Sequence, residues 1–383
     1  MVATRTFDRA KVTSYRAEPL NPARYPRWRA ALARLRRNAG GAKLMVYGDS
    51  NDRGAFALGI GVGNAMSQSW PTQFARDLVP QFIPGREGYW GSVFGDAWKG
   101  NNASTGLQVE DTRVTFTGDW TTAAQQVANS QTFGGVYWNA SAAGSMTFTP
   151  TETVDSFKIY YFRNTGLGTF GWSVDGGSVT NISQNGAVGV QVATVSAGAA
   201  GAHALKLEWV SGALAILGIE GVNSTKNVLT VYNGGAYGIN STFGSAAGNT
   251  FSPGNSAMMD AITPDLIMLS WGINDELQAI PIATTQANFQ AVITTAKART
   301  YDVILKMHIP CSTLTATQQA TLQMMYDLAE ANNIDVINCF DRWGSNTNYS
   351  ALNALGYYAD TNHPLALGYG DIAALCAEKL LSI

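Results

Sequence analysis

Five short apolar runs constrain this chain more than any other feature. They are Ala42–Tyr47, "NVLTVYN" (Asn227–Asn233), "PDLIMLSWG" (Pro264–Gly272), "YDVILKMHIP" (Tyr301–Pro310) and "NIDVINCF" (Asn333–Phe340). Each is nearly continuous rather than alternating, as suits a strand covered on both faces. Helical stripes separate the later runs: Phe289, Val292, Ile293 and Ala296 form one, and Leu322, Met325, Tyr326 and Ala329 another. A last helix is expected over about 367–381. Strand and helix in alternation predict an α/β domain built on a parallel sheet with helices on both sides.

Residues 102–222 have a different texture. They hold four basic residues (Arg113, Lys158, Arg163, Lys206) and eight acids, and Gly, Ser, Thr and Ala dominate the turns. Apolar residues alternate with period two: Val114 and Phe116; Phe157, Ile159 and Tyr161; Phe170, Trp172 and Val174; Leu205, Leu207 and Trp209. Such alternation is the signature of antiparallel strands with one wet face. The expected organisation is therefore a discontinuous α/β domain, residues 1–101 and 223–383, with an all-β sandwich at 102–222 inserted after its first strand. "SAGAAGAHA" reads as a hairpin loop of that sandwich.

Composition narrows the partners. The 383-residue chain is 46% hydrophobic and 14% charged, with a net charge of −2, so nothing points to nucleic acid or an acidic membrane surface. Ten of its 25 Lys and Arg crowd into the first 40 residues. Trp28, Leu32 and Leu35, at i, i+4 and i+7, mark that region as an amphipathic surface helix that docks by its apolar stripe. Cys311, Cys339 and Cys376 are far apart and odd in number, which indicates neither a disulfide framework nor a zinc site. The N-terminus lacks an apolar signal-peptide core and no segment is apolar for long enough to span a bilayer, so a cytoplasmic or virion-associated location is expected.

In an open parallel sheet, ligands sit at the carboxyl ends of the strands. The residues just after the runs are Gly48-Asp49-Ser50, "NGGAYG" (Asn233–Gly238), Gly272-Ile273-Asn274-Asp275 and, before the last helix, "ADTNHP" with Asp360 and His363. Ser50 is a nucleophile or a turn residue, and the triplet alone does not decide. A serine hydroxyl needs a neighbouring base, and histidine is the best one near neutral pH. Of the three histidines, His203 lies in a β hairpin and His308 within or at the end of the fourth run, satisfied by backbone. His363, three residues after Asp360, is the well-placed base, with Asp360 as its orienter or as an Asx turn residue. The Ser50 and Gly238 N–H groups and the Asn274 amide are available by position as donors to an oxyanion, Gly238 being otherwise an ordinary turn glycine and Asn274 a loop cap. Asp49 and Asp275 read as loop anchors.

The blocks "GDS", "N-x-G-x-x-G", "GIND" and "DTNH" resemble, in this order, those of the SGNH (GDSL-type) hydrolase family. "SWPTQFARDL" is similar to that family's first helix. The resemblance covers about 43–70 and 227–383. It implies a flavodoxin-like three-layer domain with a five-stranded parallel sheet, and a Ser50–His363–Asp360 triad. It also implies an oxyanion hole of Ser50, Gly238 and Asn274, with no metal or cofactor. The long β insertion departs from the minimal family. A similar insertion, resembling a carbohydrate-binding jelly roll, occurs in some SGNH esterases that deacetylate glycans, and the layout also resembles prophage-associated SGNH proteins. The resemblance thus implies an esterase acting on a small acyl ester or O-acetylated glycan. A lipase or thioesterase of the same fold, and a catalytically weak glycan-binding tail component, are the alternatives. Trp120, Tyr137 and Trp138 are candidates to stack on sugar rings, or else core residues.

Overall fold

A computed structural model describes residues 19–59, 66–89, 92–93, 111, 113–118, 120–123, 137–235, 238–242, 256–312 and 315–383. The basic residues before Glu18, and Ala236 and Tyr237 of the second block, lie outside them. In chain order the strands are β1 (Ala42–Gly48), β2 (Gly88–Tyr89), β3 (Ser92–Val93), β4 (Val114–Gly118), β5 (Thr121–Ala123), β6 (Tyr137–Asn139), β7 (Gly144–Phe148) and β8 (Val154–Arg163). They continue as β9 (Thr169–Val174), β10 (Thr180–Ser183), β11 (Gly189–Gly201), β12 (Leu205–Ser211) and β13 (Ile216–Val222). The last four are β14 (Leu229–Gly235), β15 (Leu266–Leu269), β16 (Asp302–Met307) and β17 (Val336–Asn338).

All five apolar runs are strands of one parallel sheet, ordered β17-β16-β15-β1-β14-β2. The sheet has six strands rather than the expected five, because the two-residue β2 adds in parallel to the outer edge of β14. Over the five longer strands the order is second, first, third, fourth, fifth, the flavodoxin-like order. It places β1 in the middle, with a topological switch at its carboxyl end.

The continuous apolar runs are explained by burial on both faces. Leu44 and Val46 of β1 join one core cluster with Trp28, Leu32 and Leu35 of the helix Pro26–Arg36 and Tyr369 and Ile372 of the helix Ala366–Leu380. Met45 and Tyr47 join the other, with Phe289, Val292 and Ile293 of the helix Ile282–Lys297 and Leu322 and Met325 of the helix Thr315–Asn332. Each large apolar side chain so buried is worth roughly 1.5–3 kcal/mol. The N-terminal helix is thus part of the core, as its stripe predicts. Trp28 also donates its indole N–H to the Leu380 carbonyl at 2.8 Å, and its backbone N–H to Asp302 at 2.8 Å.

The middle of the chain forms two antiparallel sheets, ordered β10-β9-β12-β7-β4 and β11-β8-β13-β6-β5. Their facing side chains share one core, including Met146, Phe148, Phe170 and Leu207 from the first sheet and Trp138, Phe157, Ile159 and Ile216 from the second. β3 pairs with β13, so residues 92–93 already belong to the second sheet while 88–89 belong to the parallel one. Trp120 and Trp138 are core residues, 3% and 0% exposed, and do not present a sugar-stacking face; the Tyr137 side chain lies outside the described residues. "SAGAAGAHA" is also not a simple loop. β11 runs through Gly201, with a register shift against β8 after Ser196, and the small side chains suit that irregular edge. Among the described residues no helix is long and apolar enough to cross a membrane.

Trp28→Ala is expected to cost about 3–5 kcal/mol, because a fully buried indole and its hydrogen bond are lost together. Urea unfolding followed by tryptophan fluorescence reads the shift; a loss below about 1 kcal/mol would mean the N-terminal helix is a loose attachment.

Candidate active site

Ser50 opens a four-residue helix, Ser50–Arg53, directly after β1. The turn is held by a reciprocal cap: Asp49 Oδ1 accepts the Asn51 N–H at 2.8 Å, and Asp52 Oδ2 accepts the Asp49 N–H at 3.1 Å. Gly48 is required here, since a Cβ would lie 2.1 Å from Asp52 Oδ2. From β14, Asn233 donates to the Asp52 carbonyl at 2.9 Å and accepts the Gly235 N–H at 2.9 Å. The second block therefore braces the helix that carries Ser50.

His363 lies 313 positions from Ser50 in sequence, yet its Nε2 stands 2.9 Å from Ser50 Oγ. Its Nδ1 is 2.8 Å from Asp360 Oδ2. Asp360 Oδ1 accepts the N–H groups of Asn362 and His363, each at 2.7 Å. Asp360 Oδ1 thus closes an Asx turn, and both carboxylate oxygens face the imidazole, with Oδ1 at 3.0 Å from His363 Nδ1. Burial by itself would raise the Asp360 carboxyl, but the His363 side chain and these N–H donors hold it below the usual carboxylate range. It is the anionic acceptor that an imidazole orienter must be. Tyr349 O–H donates to the Asp360 carbonyl at 3.2 Å, and the Ala359 N–H to the His363 carbonyl at 2.9 Å.

Gly238 adopts φ 65°, a left-handed conformation that glycine reaches without steric cost. Asn274 lies in the short helix Ile273–Leu277 after β15, 8% exposed. Its amide donates one proton to the Ile239 carbonyl at 2.9 Å, next to Gly238. Asp275 accepts the Ser241 N–H at 2.9 Å, the Ser241 hydroxyl, and the Thr285 hydroxyl at 3.0 Å. Asp275 thus ties the Gly238 loop to the Asn274 helix, the anchoring expected of it.

Beneath this constellation lies a buried charge network. Asp52 Oδ1 is 3.2 Å from Lys306 Nζ and accepts the Trp70 indole N–H at 2.7 Å and the Ser270 hydroxyl at 2.9 Å. Burial is the largest single influence and pulls the Lys306 ammonium down, but Asp52 first, together with Cys339, Cys376 and Asp49, outweighs it and the group is pushed up overall. His308 follows β16, 1% exposed, with Nδ1 on the Ile309 carbonyl at 2.8 Å and Nε2 on Glu276 Oε1 at 3.0 Å. It is satisfied partly by backbone, as expected, and also by a carboxylate; burial lowers it and Glu276 raises it, the rise prevailing. Asp49 is fully buried, and among the described residues its Oδ2 has no hydrogen-bond partner. Burial first, and the Asp52 charge next, push its carboxyl up to about 7. His203 is remote, paired with Asp175 at 2.5 Å in the hairpin between β11 and β12. Among the described residues no group of three or more His, Cys, Asp and Glu is placed to hold a metal ion.

The sequence reading missed Asp52, Lys306, Trp70, Ser270 and Glu276. One signal was present: Lys306 interrupts the apolar run "VILKM". A cation in a strand covered on both faces requires a buried carboxylate.

No protein-family model matches the chain, and no curated protein matches it in sequence. In structure it is similar to a peptidoglycan O-acetylesterase, with a TM-score of 0.71 at 18% identity over 94% of this chain and 97% of that one. Shorter likenesses include a G-D-S-L-family lipolytic protein of Desulfitobacterium hafniense (TM-score 0.34, 19% identity, 39% of this chain, 80% of that one). Another is a lipase/acylhydrolase of Enterococcus faecalis (TM-score 0.33, 18% identity, 40% and 76%). The structural neighbours are SGNH (GDSL-type) hydrolases and carbohydrate esterases. The extended match shows a shared fold.

Asp49 gives a pH test. An acid whose value in the folded chain lies above its unfolded one contributes stability that is complete at low pH and lost as pH rises through about 7. Asp49→Asn keeps the acceptor for the Asn51 N–H and cannot ionise. Its melting temperature relative to wild type is expected to rise by a few degrees between pH 5 and pH 8. A constant difference across that range would show that Asp49 does not titrate there.

Proposed function

We propose that this chain is a serine esterase that hydrolyses small acyl esters, foremost O-acetyl groups on a carbohydrate. The observation that carries the reading is the relay of Ser50 Oγ, 2.9 Å from His363 Nε2, and His363 Nδ1, 2.8 Å from Asp360 Oδ2. His363 takes the Ser50 proton as Oγ attacks the ester carbonyl, and Asp360 stabilises the imidazolium that forms. The Ser50 and Gly238 N–H groups and the remaining amide proton of Asn274 receive the oxyanion. His363 then protonates the leaving alcohol, and a water molecule activated the same way releases the acyl group from Ser50. These residues supply the whole proton circuit without a cofactor.

Support for a glycan ester comes from the end-to-end likeness to a peptidoglycan O-acetylesterase. The sparse charge of residues 102–222 agrees with a substrate that is not recognised by salt bridges. In this reading residues 1–101 and 223–383 carry the chemistry, and 102–222 form an inserted unit.

Acetate release from a panel of O-acetylated glycans, with Ser50→Ala as control, tests the proposal. Wild type should release acetate and label with a fluorophosphonate at Ser50, and Ser50→Ala should do neither. Release by Ser50→Ala at the wild-type rate would sink the assignment. Asn274→Ala should lower kcat on the order of 10²–10³-fold with little change in KM, as loss of an oxyanion donor does.

A further inference from the structure

The loop after the nucleophile helix holds a residue that the chemistry above does not use. Phe56 has φ 54°, and among the described residues it is the one aromatic side chain in the left-handed region. That conformation crowds the Cβ of a bulky residue against its own backbone. Such strain persists only where the surroundings impose it, and it clusters at functional sites.

Here the surroundings do impose it. The Ala55 N–H donates to the Ser50 carbonyl at 3.0 Å, and the Ala55 carbonyl accepts Tyr369 O–H at 2.9 Å. The Ala57 N–H donates to the Gly54 carbonyl at 3.3 Å, and the Ala57 carbonyl accepts the Ala366 N–H at 3.0 Å. The Gly59 N–H donates to the Phe56 carbonyl at 2.7 Å, and Gly54 and Gly59 supply bends at φ 94° and 106°. Both neighbours of Phe56 are thus fastened to the helix that follows His363. Held this way, the half-buried Phe56 ring lies 4.9 Å from the His363 ring, centroid to centroid, with planes inclined at 62°. Leu58 and Leu367, next in sequence to the two ends of the Ala57–Ala366 hydrogen bond, are 49% and 55% exposed.

Proton transfer fixes what this ring can meet. The leaving alcohol must bring its oxygen within reach of His363 Nε2, so whatever that alcohol carries passes beside the imidazole and its flank. We propose that Phe56 is a specificity-determining residue for the leaving alcohol: its ring is the apolar wall on which a ring-shaped alcohol, such as a pyranose, lays its C–H face. The inference rests on the esterase reading and adds the side of the ester that the site selects.

The test uses acetyl esters with one acyl group and three leaving alcohols: ethyl acetate, p-nitrophenyl acetate and an acetylated methyl glycoside. In Phe56→Ala, kcat/KM should fall roughly 3–10-fold for the two ring-bearing alcohols, mainly through KM, and less than about twofold for ethyl acetate. Phe56→Leu, which keeps most of the volume, should lie between and serves if the alanine variant does not fold. Fluorophosphonate labelling of Ser50 at an unchanged rate would show an intact triad in both variants. Equal losses on all three esters would reduce Phe56 to a support for His363 and overturn the proposal, as would no loss on any. If wild type hydrolyses none of the esters and Ser50 stays unlabelled, the esterase reading itself fails, and this inference with it.

Discussion

Two buried contacts, the Asp52–Lys306 ion pair and the Glu276–His308 hydrogen bond, hold together the loops on which the site depends. Lys306 lies in β16 and His308 just after it; Asp52 belongs to the helix that Ser50 opens, and Glu276 to the helix that carries Asn274. The carboxyl end of one strand thus clamps both the Ser50 loop and the Asn274 loop. Taking such groups out of water is costly, and the cost is offset where they find further hydrogen bonds. Asp52 does so with Trp70, Ser270 and the Asp49 N–H, and His308 with the Ile309 carbonyl. The return is position: loops at strand ends are mobile unless tied, and a triad tolerates little displacement of the attacking hydroxyl.

Economy of a different kind governs the acid and base. Asp360 caps its own turn with Oδ1 and faces His363 Nδ1 with both oxygens, so the backbone and the side chain of His363 are fixed together. The Phe56 ring closes the flank of the same imidazole, held by bonds to the helix that begins three residues after it. The Ser50 side has the corresponding arrangement, with the serine placed by a cap whose second member, Asp52, is itself a centre of the buried network.

Only some of this was legible in the sequence. The five parallel strands were, because burial on both faces leaves a continuous apolar run that little else produces, and the docking of the N-terminal helix was, because Trp28, Leu32 and Leu35 share one face. Ser50, Asn274, Asp360 and His363 could be named because each follows a strand or precedes a helix at one edge of the sheet. The two-residue β2 was invisible, being too short to carry a period. Trp120 and Trp138 could not be assigned to core or surface, since an aromatic residue in an alternating strand suits either until the second sheet is in place.

The sequence by itself determined the secondary elements, their alternation and the chemical types standing at each strand end, since these depend on local periodicity and turn chemistry. Only the tertiary structure decided that Ser50 Oγ and His363 Nε2 meet, across 313 positions, at a hydrogen-bonding distance. It alone also paired Lys306 with Asp52, and set Phe56 against His363 at a backbone angle that aromatic residues rarely adopt. Distances of this kind follow from strand order and from contacts made once the core has closed, and neither is written in any single segment of the chain.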